Sequence, residues 1–433
     1  LAQTGTFIYA TLRPWIRLGF RHFFKRIEII DTKFFPKDKA VILISNHQNA
    51  LLDPLLGCVH TKRQLHWLTR SDVFKIPAVA KILATFNMLP VYRDRDKVEG
   101  KFDKNDQIFK ECYARIDHGA VIALFPEGTH RGRKQLFQFK KGMARVAFGA
   151  MDAGVSPKDI LVLPMGLDYS EFYNHHPEAV VKFGEAFSIE EFYEIYKQDA
   201  NRGMNELLAE CKTRLSKLII DVEIEDGYDE IVYLRELCFE VPQSKLLKDQ
   251  YEAYRIFSGK IQGSSFQHDV IDKTRKYKAI CDRYHINEEV ASGRYNMPLM
   301  MLGLIFLLPF YLVGRTIFAP FERFIENFVK TKVKDPLFKN SIRLAFWTFL
   351  LPIYWLIISV IASLFFEEKL MAFLILTFGG PVLGWVAKKW LFIYRKWRAV
   401  QSFLRFKNSN QRKFDEFQYL RNELTAIIKQ KIS

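Results

Sequence analysis

Cysteine is scarce: Cys58, Cys112, Cys211, Cys238 and Cys281 are scattered through 433 residues, with no C-x-x-C spacing and no histidine cluster beside them. Such an odd, dispersed set builds neither a disulfide framework nor a zinc site, and it fits a reducing compartment. Glycine (22) and proline (16) are too few for a fibrous or low-complexity chain, and 49% hydrophobic residues exclude disorder. Charge is missing altogether from three late stretches, 297–314, 344–366 and 370–387. Elsewhere it is plentiful, and a charged content of 26% excludes a chain wholly buried in lipid.

Acidic residues are the scarcer sign: 48 Asp and Glu against 64 Lys and Arg leave a formal charge of +16. The position of that excess decides what it means. From Lys388 onward twelve basic residues stand against three acidic ones, Asp415, Glu416 and Glu423, interleaved with Trp390, Phe392, Trp397 and Phe403. Basic and aromatic residues beside an apolar run mark a cytoplasmic membrane interface facing anionic lipid, so no nucleic-acid partner is expected.

Each chargeless stretch approaches the roughly 20 residues that cross a hydrocarbon core. The longest, 344–366, predicts a full crossing with Pro352 tolerated inside it. The basic loop 315–343 and the large N-terminal portion both look cytoplasmic, which a single crossing by 297–314 forbids. A re-entrant 297–314, hinged at Pro309, removes the conflict and leaves 344–366 and 370–387 as a hairpin. At the other end, Arg13, Arg17, Arg21 and Lys25 recur every four residues in an apolar, aromatic stretch. On a helix they form one stripe. That stripe suits a helix lying among lipid headgroups, or equally one docked on the domain that follows.

Between the ends, short apolar runs at 26–30, 40–45, 65–69, 88–92, 121–125, 160–165 and 180–184 alternate with helical patterns at 54–60, 107–115 and 143–151. The alternation predicts an α/β fold, a twisted mixed sheet flanked by helices, with an N-terminal interfacial helix and a C-terminal α-helical transmembrane region. The expected organisation is an amphipathic membrane-interface helix (1–25), an α/β domain (26–187), a charged helical extension (188–296), membrane-embedded helices (297–387) and a basic cytoplasmic tail (388–433). Ligands of such sheets collect beyond the carboxyl ends of strands.

The strand 40–45 ends in Asn46-His47-Gln48-Asn49-Ala50-Leu51-Leu52-Asp53-Pro54. Asp53 can cap a helix that begins at Pro54, or its carboxylate can reach back to His47, fix the imidazole tautomer and raise its basicity. Local chemistry leaves both open, because His66 and Asp72 repeat the same spacing across a strand and an ordinary helix start. A second cluster follows the strand 121–125: Pro126-Glu127-Gly128-Thr129-His130-Arg131-Gly132-Arg133, then Phe139-Lys140-Lys141-Gly142. Glycine admits close backbone approach, and the cations offer charge-assisted bonds to phosphate. Pro90-Val91-Tyr92-Arg93 puts a further guanidinium at a strand end, and Leu163-Pro164-Met165-Gly166 ends another strand.

In that order the four pieces resemble the blocks of the glycerophospholipid acyltransferases, a family that includes bacterial lysophosphatidic acid acyltransferase. The matching residues are Asn46-His47 to Asp53, Pro90 to Arg93, Phe125-Pro126-Glu127-Gly128-Thr129, and Leu163-Pro164. The resemblance implies a catalytic dyad of His47 and Asp53 and acceptor-phosphate binding by Arg93, Glu127, Gly128 and Arg131. Pro164 would border the acyl-donor site, and Asn46, Thr129, Arg133 and Lys140 are secondary candidates. Glu127 cannot attract a phosphate itself, so its implied part is to orient an arginine or a backbone turn. One departure stands out: five residues, Gln48 to Leu52, separate His47 from Asp53 where the family usually has four. The longer interval is similar to that of fungal glycerol-3-phosphate and dihydroxyacetone-phosphate acyltransferases.

The resemblance implies a membrane-bound O-acyltransferase drawing on acyl-CoA or acyl-carrier protein. Its first-choice acceptor is the hydroxyl of a lysophospholipid, 1-acylglycerol-3-phosphate, with glycerol-3-phosphate, dihydroxyacetone-phosphate or another lyso-lipid as the alternative. His47 would take the hydroxyl proton during direct transfer; a ping-pong route needs Ser45 or Cys58 poised beside it. No metal or organic cofactor is implied. The expected location is integral to the cell membrane, with the site on the cytoplasmic face. From a different class, a membrane tether binding protein partners through the charged segment 188–293 stays open.

Overall fold

The run Ala40–Ser45 is buried at all six positions and forms β2, an inner strand of a mixed sheet. A continuous apolar strand is what burial on both faces demands. The computed structural model describes residues 6–75, 77–93, 98–173, 176–242 and 244–432. The other strands are β1 (Arg26–Ile30), β3 (Leu65–Arg70), β4 (Leu89–Val91), β5 (Val121–Leu124), β6 (Ile160–Tyr169), β7 (Glu178–Phe183) and β8 (Phe187–Ser188). They are ordered β1-β7-β6-β2-β5-β3-β4, with β8 added on β6. β2 runs parallel to β5 and β6, while β7 runs antiparallel to β6 and parallel to β1. The carboxyl ends of β2, β5 and β6 therefore share one sheet edge with the amino end of β1.

Helices cover the sheet: α1 (Thr6–Phe23), α2 (Leu52–His60), α3 (Pro77–Thr85), α4 (Lys101–Asp117), α5 (Gly142–Asp152), α6 (Glu190–Gln198) and α7 (Ala200–Ser216). One face packs Ile42, Ile44, Ile122 and Val162 against Cys112 of α4, Met143 and Phe148 of α5, and Leu207 and Cys211 of α7. The expected mixed sheet flanked by helices is present. Three details differ. β6 runs four residues past its expected end, to Tyr169, and carries Gly166 within it. Next, α2 begins at Leu52, so Asp53 lies inside its first turn and is not its cap. Finally, α6 and α7 belong with the sheet: the unit that contains it is Leu1–Asp221 with Pro336–Ser341, which moves the expected boundary from 187 to 221.

Two of the basic residues in the N-terminal stripe face the domain. Arg13 Nε donates to the Val59 carbonyl at 3.4 Å and Arg17 Nη2 donates to the same oxygen, while Tyr9 OH reaches the Cys58 carbonyl at 3.1 Å. These bonds satisfy carbonyls at the end of α2 that no helical N–H can reach. Ile16, Phe20 and Phe23 are buried. Burial of each such side chain stabilises by roughly 1.5–3 kcal/mol, against about 1 kcal/mol for a basic residue near an anionic surface. Docking, one of the two readings open for this helix, therefore dominates on the face that carries Arg13 and Arg17. Residues 1–5 of the expected interface helix lie outside the described residues.

The second unit, Val222–Asp335 with Ile342–Ser433, is helical. Among the described residues, three helices are long and apolar enough to cross a membrane: Met297–Lys332, Pro336–Ser363 and Lys369–Ser409. The first is one unbroken helix of 36 residues through both Pro309 and Pro320, which overturns the re-entrant reading. Side chains donate to carbonyls in the turn before each proline, Trp390 Nε1 to Leu304 at 2.8 Å and Tyr354 OH to Ile317 at 2.7 Å. Such donors let a helix carry proline in lipid. Cysteines introduced at Tyr295 and Lys330 should accordingly react with an impermeant maleimide from opposite faces of sealed vesicles; labelling of both from one face would restore the re-entrant hairpin.

Candidate active site

The loop leaving β2 wraps around one carboxylate. Asp53 Oδ2 accepts from His47 Nδ1 at 2.7 Å and from the backbone N–H groups of Gln48 and Asn49, each at 2.8 Å. Asp53 Oδ1 accepts from Tyr169 OH at 2.6 Å, and the aspartate is fully buried. His47 is thus held with Nδ1 as donor, leaving Nε2 to act as acceptor. The side chain of His47 is 14% exposed, enough for one ring edge to meet a ligand.

Neighbouring strands fix the frame. The Asn46 side-chain amide donates to the Leu167 carbonyl at 2.9 Å and accepts from the Leu167 N–H at 2.7 Å, tying the end of β2 to β6. Two residues on, Lys134 is buried against Asp168 and donates to the Tyr169 carbonyl at 2.6 Å. Phe125 lies flat under the imidazole, centroid to centroid 3.9 Å at 7°, and Trp67 stacks behind Phe125 at 4.6 Å. His130 meets His47 edge-on at 5.3 Å and Phe338 at 5.5 Å.

Glu127 serves the backbone in this geometry. It is buried, and its two oxygens accept from the backbone N–H groups of His47 at 2.9 Å and Phe137 at 3.3 Å. A buried carboxylate would repel a phosphate. It braces the loop 128–141 against the dyad, helped by the Arg131 N–H on the His47 carbonyl (3.1 Å) and the Lys140 N–H on the Pro126 carbonyl (2.7 Å). Gly128 turns the chain at φ 71°, a conformation open to glycine, with Thr129 next to it in the same turn.

The remaining candidates separate by position. The Arg131 side chain is exposed with its guanidinium 4.0 Å above Phe137, and Lys140 is exposed. Arg133 is half-buried, its carbonyl accepting from Gln48 Nε2 at 3.4 Å. Arg93 follows β4 and pairs with Asp72 at 3.3 Å, an aspartate that Arg70 also engages. Asp72 is thereby committed to cations, and His66 Nδ1 faces the Val121 carbonyl at 3.3 Å, so this second His-Asp spacing forms no dyad. Pro164 sits inside β6 beside Ile44. Asn46 likewise acts as a brace. Tyr169, Lys134 and Asp168 were absent from the sequence reading; the hint available was the alternation Leu167 and Tyr169 beyond Gly166.

Burial pushes the His47 pKa below the ordinary imidazole value of 6.5, with Asp53 opposing and His130 adding to the depression. Burial lifts Glu127 to about 7 against the two N–H donors. The phenol of Tyr169 is driven well above its ordinary 10 by burial and by Asp53, so it stays a donor. Cys58 is buried, receives Trp67 Nε1 at 3.2 Å and is raised to about 11 by burial, which removes it as a nucleophile. Ser45 is fully buried and bonded to the Asn46 carbonyl at 3.2 Å.

The stretch of chain that carries this site is similar in sequence to known proteins. The family model described as Acyltransferase covers residues 26–168. Glycerol-3-phosphate O-acyltransferase 1 of Saccharomyces cerevisiae is 21% identical over 292 residues, 60% of this chain and 38% of that protein. Glycerol-3-phosphate O-acyltransferase 2 of the same yeast is 26% identical over 132 residues, 30% of this chain and 17% of that protein. A chloroplastic 1-acyl-sn-glycerol-3-phosphate acyltransferase of Arabidopsis thaliana is 26% identical over 136 residues, 31% of this chain and 35% of its own length. The chain thus spans well under half the length of these curated relatives. Residues 26–168 therefore form a domain of the kind that the Acyltransferase family model describes.

Proposed function

We propose that the chain transfers a fatty acyl group from a thioester, acyl-CoA or acyl-carrier protein, to a hydroxyl of a phosphate-bearing glycerol acceptor at the membrane. The observation that carries this is the buried His47–Asp53 pair with Tyr169 behind it. His47 Nε2 takes the acceptor's proton as its oxygen bonds to the thioester carbon. The tetrahedral oxyanion then collapses, the C–S bond breaks, and the imidazolium returns the proton to the departing thiolate. General-base help contributes roughly 10²- to 10⁴-fold, so positioning of the acceptor supplies much of the rest.

The leading acceptor is 1-acylglycerol-3-phosphate. Glycerol-3-phosphate is the second reading, favoured by the five-residue interval between His47 and Asp53 and by the yeast match that extends over 60% of the chain. Three apolar helices support a membrane location, and we infer that the site faces the cytoplasm.

Purified chain given an acyl thioester and a panel of acceptors should acylate one phosphate-bearing glycerol, and His47→Ala should cut that turnover by roughly 10²- to 10⁴-fold. Undiminished turnover in the folded variant would leave the tether as the better reading. Because burial holds the His47 pKa under 6.5, kcat/KM should stay level through neutral pH and fall only as pH drops below that value; an acid limb centred above pH 7 contradicts the assignment. Tyr169→Phe strips one donor from Asp53, and a bond to a charged group is worth about 1.5–3 kcal/mol. The expected result is a loss of about tenfold or more in kcat with little change in KM, and an unchanged kcat would remove Tyr169 from the machinery.

A further inference from the structure

Arg17 and Arg21 share a stripe of α1, Lys25 follows it, and Arg26 opens β1. The four line a cavity of about 440 Å³ whose other walls include Phe24, Ile27 and His60; Arg17 is already held by the Val59 carbonyl, so Arg21 and Lys25 are the cations placed to meet a ligand. One carboxylate balances them: Glu178, 3.5 Å from Lys25 Nζ and 2.7 Å from Arg26 Nη2. His60 adds no charge near neutrality, since burial, with the nearby Arg17 and Arg13 adding to it, brings its pKa down to about 4. Arg21 has no hydrogen-bond or ion-pair partner among the described residues.

Cations crowded around a cavity repel one another unless an anion joins them. Guanidinium groups match phosphate oxygens two at a time, and the exposed Arg21 is placed to supply such a pair. The apolar walls suit the first carbons of an attached body. Trp15 and Leu18, on the same helix, are 40% and 57% exposed and offer apolar surface beside the cations.

We propose that this cavity is a second phosphate-binding site, separate from the acceptor site at His47, that takes the phosphate of an anionic amphiphile. A connection to the dyad exists: the ring of Phe24 lies 6.3 Å from that of Tyr169, whose hydroxyl holds Asp53. The site stands on its own cations and does not depend on the acyl-transfer reading.

The test is calorimetric titration of the full chain, in neutral detergent, with dioctanoyl phosphatidic acid, inorganic phosphate and dioctanoyl phosphatidylcholine. The comparison is between the wild type and the double variant Arg21→Gln, Lys25→Gln. Both residues are solvent-exposed, Lys25 by 58%, so the variant should fold, which its melting temperature checks. Binding at the acceptor site is common to both proteins and cancels in the comparison. The variant should lose one class of phosphatidic acid binding or weaken it by about tenfold or more, with a steep salt dependence in the wild type. Equal loss for inorganic phosphate would support the site and assign it to soluble phosphate esters; loss confined to phosphatidic acid assigns it to lipid. Superimposable isotherms for the two proteins, or phosphatidylcholine binding as tightly as phosphatidic acid, would overturn the proposal. Acyl transfer, measured separately with His47→Ala, can fail without changing that comparison.

Discussion

The geometry of this site depends on how a fully buried carboxylate is satisfied. Removing the Asp53 charge from water is costly unless its lone pairs are filled, and four donors fill them: one imidazole, two backbone N–H groups and one phenol. Those donors come from the end of β2, the turn after it, and the end of β6, so one side chain sets three segments at once. The same constraint explains how the long interval between His47 and Asp53 is tolerated. The amides of Gln48 and Asn49 close around the carboxylate, the turn at residues 49–51 takes up the remaining chain, and α2 starts at Leu52. An added residue in that turn leaves the imidazole-to-carboxylate distance at 2.7 Å.

The imidazole is constrained a second time by aromatic contacts. Asp53 chooses which nitrogen carries the proton, while the flat contact with Phe125, backed by Trp67, fixes the ring plane. The two have opposite electrostatic effects. Covering the ring with apolar surface disfavours the imidazolium, and the carboxylate favours it; burial is the larger influence. A base tuned this way is unprotonated at neutral pH, at the cost of some intrinsic basicity, a compromise that general-base catalysis tolerates when its pKa stays near the working pH. Glu127 adds a third restraint on the backbone of the same residue.

Much of this was legible in the chain because it is local. A six-residue apolar run, a histidine at its exit and an aspartate within the next turn are neighbours in sequence, and so is the glycine turn after Glu127. The remainder depends on partners far apart. Tyr169 lies 116 residues from Asp53, beyond a glycine that disguises β6 as finished at Met165. The arginines at 13 and 17 read as a membrane stripe because their receivers, the carbonyl end of α2, lie more than 40 residues away. Proline inside Met297–Lys332 suggested a hinge for a similar reason: the tryptophan and tyrosine hydroxyl that bond carbonyls close to each proline belong to other helices. Periodicity reports which face is apolar, and says nothing of which distant donor meets it.

The basic excess shows the same division between composition and use. Arg13 and Arg17 are spent on helix carbonyls, Arg93 and Arg70 converge on Asp72, and Lys134 is sealed with Asp168. Recruiting any of these to a phosphate would first require breaking an existing bond to oxygen, and hydrogen bonds to charged groups are worth about 1.5–3 kcal/mol. Arg131 is held by the face of Phe137, an exposed contact worth about 0.5–1 kcal/mol. Its backbone already touches the His47 carbonyl, so a phosphate that draws the guanidinium away costs little and lands beside the dyad. On energy alone, the proposed acceptor phosphate is better met by Arg131 and the exposed Lys140 than by Arg93, although Arg93 sits in the more recognisable block.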